Sequence, residues 1–61
     1  MKQFKVFIEH EDKWKFFGTF NANDGDMALE LARSSKNELM NQYCFNENEI
    51  PYVNMEYEEL P

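Results

Sequence analysis

One imidazole, His10, and one thiol, Cys44, are the side chains from which nucleophilic or metal chemistry could start in this chain. A thiolate attacks a carbonyl when an imidazole lies within hydrogen-bond reach and a nearby donor stabilises the oxyanion. His10 closes an alternating run and Cys44 follows a helical pattern, and neither carries a local signature of such a pair. His10 is therefore read as a strand-end side chain and Cys44 as a half-buried one. A tetrahedral metal site needs about four ligands, which one His and one Cys cannot supply. The run Asn21-Ala22-Asn23-Asp24-Gly25-Asp26 has the composition of a calcium loop. With Gly25 at the invariant glycine position, however, the first ligand would be Phe20, whose side chain has no oxygen. Glu47, Glu49, Glu56, Glu58 and Glu59 could pair as acid and base, but such carboxylates need a cleft that separates their environments. A 61-residue chain with one helix leaves little room for a cleft. No catalytic residue, metal ligand or cofactor is assigned, and the chain is read as non-catalytic.

The same acids matter more as a surface. Twelve Asp and Glu face six Lys and Arg, a net charge of -6. From Met1 to Phe20 four lysines (Lys2, Lys5, Lys13, Lys15) slightly outnumber three acids (Glu9, Glu11, Asp12). From Asn21 to Lys36 the two signs nearly cancel, and from Asn37 to Pro61 there are six Glu and no base. Tyr43, Phe45, Tyr52 and Tyr57 are interleaved with those acids. An acidic, aromatic segment opposes direct binding to nucleic acid or anionic lipid and suits a partner protein with a basic surface.

Placing these residues requires elements. Phe4, Val6, Ile8 and His10 alternate with Lys5, Phe7 and Glu9, the period of a half-buried strand. Trp14, Phe16, Gly18 and Phe20 alternate with Lys15, Phe17 and Thr19 in the same way. The two runs should pair as an antiparallel hairpin in an even register, in which the numbers of paired residues add to an even sum. That register sets Phe4, Val6 and Ile8 on the face of Trp14, Phe16 and Phe20, whereas an odd one sets them against Lys15 and Thr19. With no Asn-Gly or Asp-Gly between the runs, a loop of three or more residues is expected. Asn23 or Asp24 should cap a helix that ends between Met40 and Tyr43. Its stripe of Ala28, Leu31, Ala32, Ser35, Leu39 and Tyr43 should lie on the sheet, with Glu30, Arg33, Lys36 and Asn37 facing solvent. Cys44 to Glu49 reads as a turn, Ile50-Pro51 disfavours helix, and Tyr52 to Tyr57 alternates as a third strand, with a frayed end from Glu58. The fold expected is α+β, a single domain over 1–61 in the order β-β-α-β.

In that arrangement Phe7 and Phe17 share the face that one helix does not cover. Either a partner or a second copy covers them, or a curled hairpin and the acidic tail do.

The segments Phe4-Lys5-Val6-Phe7-Ile8, Gly18-Thr19-Phe20-Asn21-Ala22, Met27-Ala28-Leu29 and Ala32-Arg33 resemble the small B subunit family of phenylacetyl-CoA epoxidases. That resemblance, over Phe4 to Arg33, implies a non-catalytic subunit that bridges others. Beyond Arg33 the basic run of that family is replaced by Ser34-Ser35-Lys36-Asn37-Glu38. The strand-helix half, with Ala28-Leu29-Glu30-Leu31-Ala32 on the helix, is also similar in architecture to small phage inhibitors of host RNA polymerase. The expectation is a small acidic interaction module. Phe7, Phe17, Tyr43, Phe45, Tyr52 and Tyr57 would supply apolar contact, and Glu47, Glu49, Glu56, Glu58 and Glu59 would steer toward a basic partner. An inhibitor, an accessory subunit and a homodimer are the forms such a module could take. One Cys cannot close an internal disulfide, no segment reaches the roughly 18–20 apolar residues of a membrane span, and no signal-peptide core follows Met1, so a cytoplasmic location is expected.

Overall fold

The alternating runs form two long strands, β1 (Lys2–His10) and β2 (Lys13–Ala22), in a computed structural model that describes residues 1–61. A helical segment follows, then a short 3-10 turn at Ile50–Tyr52 and the strand β3 (Met55–Glu59). The sheet order is β2-β1-β3, with β1 antiparallel to both neighbours. β2 and β3 therefore run parallel on either side of β1, and parallel strands can be joined only by a crossover. The helices make that crossover over one face of the sheet. This is the α+β arrangement expected from the sequence.

The hairpin departs from the expected register at one place. Lys2 pairs with Ala22, Phe4 with Phe20 and Val6 with Gly18, which is the even register. Past Val6 the pairing shifts, so that Phe7 meets Phe16, Ile8 meets Lys15 and Glu9 meets Trp14. Phe17 is the extra residue of a β-bulge. The cause lies at the tip. Glu11 and Asp12 form a two-residue turn with φ of 55° and 63°, and His10 pairs with Lys13. Positive φ at both central residues matches the right-handed twist of the strands, so the tip closes in an odd register without Asn-Gly. An odd register at the tip and an even one at the base differ by one residue, and the bulge absorbs it.

The helix also differs from a single rod. α1 (Gly25–Ser34) and α2 (Lys36–Tyr43) are separated at Ser35, where ψ is 57°. The Ser34 and Ser35 hydroxyls donate to the carbonyls of Glu30 and Leu31, each one turn back, at 2.9 and 3.2 Å. Such bonds compete with the backbone ladder and bend helices. At the start, the Asp24 carboxylate accepts from the Met27 N–H at 2.8 Å, a side-chain N-cap as expected. At the end, Cys44 adopts a left-handed conformation and its N–H donates to Met40 O.

Two linked clusters make the core. Phe4, Val6, Ala22, Ala28 and Ala32 form one, and Ile8, Leu39, Ile50 and Val53 the other. Phe17 and Met55 touch both. The stripe on the helices is corrected at one position: Leu31 is exposed and Leu29 packs inward instead. Arg33 is half-buried and donates to Ile50 O at 2.8 Å, so it ties the helix to the following loop and does not simply face solvent. The C-terminal segment is not frayed at Glu58. It pairs with β1 through Glu59, and the Leu60 N–H donates to Gln3 O at 2.8 Å.

Candidate interaction surface

Because the crossover lies over one face of the sheet, the other face is open. Strand alternation and the observed register place Lys5, Phe7 and Glu9 of β1, Trp14, Phe16 and Thr19 of β2, and Glu56 and Glu58 of β3 on it. Phe7 and Phe16 are direct partners, with ring centroids 5.8 Å apart and edge to face. That contact half-buries Phe7, while Phe16 remains 53% exposed and Trp14 47% exposed. Glu56 stands opposite Phe7, Glu58 opposite Lys5, and Glu9 opposite Trp14. The face thus has an aromatic patch on β2 and the middle of β1, with Glu9 beside it on β1, an acidic flank of Glu56 and Glu58 on β3, and one cation, Lys5.

The bulge decides which aromatics are here. Phe17, expected beside Phe7, turns inward, where it stacks on Phe20 at 6.0 Å and contacts Tyr43 at 6.2 Å. Trp14 and Phe16, expected in the core, lie outside. The sequence did not announce it: Glu11-Asp12 lacks the Asn-Gly or Asp-Gly of a two-residue turn, yet it forms one in place of the longer loop expected, and the odd register it sets at the tip conflicts with the even one favoured by Phe4 and Phe20.

The acidic, aromatic C-terminal segment does not act as one surface. Tyr43 and Phe45 are half-buried against the second core cluster, where the His10 ring lies edge-on to both at 5.4 and 5.2 Å. Tyr57 lies on the helix side, edge-on to Phe4 at 5.6 Å and against buried Gly25. Glu56 and Glu58 reach the open face. Glu59 pairs with Lys2 and Glu47 with Lys36, at 3.7 and 3.4 Å. The Glu49 carboxylate accepts from the Asn46 N–H at 3.0 Å and fixes the loop, and Tyr52 is 84% exposed beside it.

Two residues with chemical potential are held in other roles. His10 Nδ1 lies 3.4 Å from both Lys15 Nζ and Glu11 Oε1, with the ring packed on aromatics. Cys44 is exposed at the helix cap, not half-buried as expected. No three His, Cys, Asp or Glu side chains converge in a way that could hold a metal ion. No helix is long and apolar enough to cross a membrane. No family model, curated protein or solved structure matches the chain.

Proposed function

We propose that this chain is a protein-interaction module that docks through the open face of its sheet onto a basic, partly apolar surface of another protein. The carrying observation is the Phe7, Trp14 and Phe16 patch flanked by Glu9 on β1 and by Glu56 and Glu58 on β3. Aromatic side chains that are accessible yet held by a rigid sheet lose little entropy on binding and supply most of the contact energy in interfaces. The acidic flank selects a partner of opposite sign and raises the rate of encounter. A second copy is a poorer fit, because two faces that each carry three carboxylates and one lysine, on chains of net charge -6, repel as they approach. An inhibitor that covers a basic, nucleic-acid-binding surface and an accessory subunit seated in a larger assembly would both use such a face.

The test is affinity capture from the native host with the tagged chain, compared with its Phe16→Glu variant at low and high salt. A specific partner with a basic surface, released by salt and absent from the variant, is the expected result, with circular dichroism showing that the variant is folded. Capture that is unchanged by both the substitution and the salt would reject the open face as the docking surface. A dimer by light scattering that the same substitution dissolves would assign the face to self-association.

A further inference from the structure

We propose that the groove between Glu9, Phe45, Glu49 and Tyr52 receives an arginine side chain of the partner. This deepens the docking reading and rests on it, since Glu9 belongs both to the groove and to the open face. The groove measures about 390 Å³ and has no Lys or Arg in its walls. Its two carboxylates are fixed in place. Glu9 Oε1 accepts from Asn54 Nδ2 at 2.9 Å, and Glu49 Oε1 accepts from the Asn46 N–H at 3.0 Å. Neither acid belongs to an ion pair, because the three ion pairs of the chain use Glu59, Glu11 and Glu47. Each therefore has its second oxygen free to accept.

The apolar walls define the shape of the cation. Phe45 is half-buried and held by its contacts with His10 and Tyr43, at 5.2 and 5.9 Å. Tyr52 follows Pro51 in the 3-10 turn and is 84% exposed, although the neighbouring Val53 is buried. A guanidinium is planar and weakly hydrated, so it can lie on an aromatic ring while its N–H groups reach a carboxylate. An ammonium is compact and strongly hydrated and uses only the charge. A carboxylate held by one oxygen loses little freedom when the other accepts from a ligand, which favours binding at this groove over the mobile surface acids.

Capped Gly-Arg-Gly, Gly-Lys-Gly and Gly-citrulline-Gly peptides, titrated into the full chain and followed by amide NMR, test this directly. The arginine peptide should shift the amides of Phe45, Asn48, Tyr52 and Asn54, the lysine peptide should bind more weakly, and the neutral citrulline peptide should leave them in place. Glu49→Gln keeps an oxygen for the Asn46 N–H but removes the charge, and should weaken the arginine peptide about three- to tenfold. Tyr52→Ala should weaken it to a similar degree. Equal shifts with citrulline, equal binding of lysine, or unchanged affinity in Glu49→Gln would each overturn the assignment. Neither variant alters Phe16 or Trp14. Loss of peptide binding alongside salt-sensitive, Phe16-dependent capture would therefore discard the groove and leave the docking face standing.

Discussion

The two faces of this sheet carry similar loads of aromatic side chains and use them differently. Under the helices, Phe4, Phe17 and Phe20 pack with Ala28, Ala32 and Leu29, Tyr57 lies edge-on to Phe4, and the small alanines let the helix approach closely. On the far side Phe7, Trp14 and Phe16 have no helix over them, and the carboxylates of Glu9, Glu56 and Glu58 flank them on β1 and β3. Composition alone does not distinguish the two groups. The difference is that a single crossover can cover one face only, so the buried apolar residues are concentrated on one side, while Trp14 and Phe16 stay accessible on the other.

Substitutions on each face should separate those roles. The largest effect belongs to Phe4→Ala, at the centre of the first cluster and 1% exposed. It should cost about 3–5 kcal/mol, which rivals the whole stability of so small a domain. Urea unfolding followed by circular dichroism should then show no cooperative transition. Phe17→Ala, which removes the ring joining both clusters, should cost about 2–3 kcal/mol in the same assay. A loss no greater than that of Phe16→Ala would show that the bulge does not turn Phe17 inward.

Gly25→Ala comes next, because an added Cβ would clash with the Tyr57 ring. The ring is 47% exposed and can swing outward, so the cost should be about 1–2 kcal/mol. The contact of Tyr57 with Phe4 in nuclear Overhauser spectra should fade with it. Asp24→Ala removes the bond to the Met27 N–H and should cost about 1 kcal/mol, visible as a lower urea midpoint at unchanged slope. The smallest stability effect is expected from Phe16→Ala, under about 1 kcal/mol, since only its edge contact with Phe7 is lost. The comparison of the faces would fail if Phe16→Ala unfolded the domain.

Much of this was legible from residue patterns. Alternation in Phe4 to His10 gave a strand, Asp24 gave the cap, and Val53, Met55 and Tyr57 share the inner side as their spacing implied. Three features were not legible. The break at Ser35 depends on two hydroxyls choosing carbonyls of the preceding turn over solvent, a competition of small energies. The bulge depends on a contest between turn and base registers that no single segment reveals. The division of the acidic segment depends on β3 pairing with β1, which sends Glu56 and Glu58 to one face and Tyr57 to the other.

By itself, then, the sequence determined the α+β class, the strand and helix periods, and an acidic C-terminal half, because these follow from local spacing and composition. Only the tertiary structure decided which aromatics are buried. A one-residue shift in strand pairing exchanges the faces of a strand, and the shift at Val6 and Phe7 moved Phe17 into the core while leaving Trp14 and Phe16 on the open face.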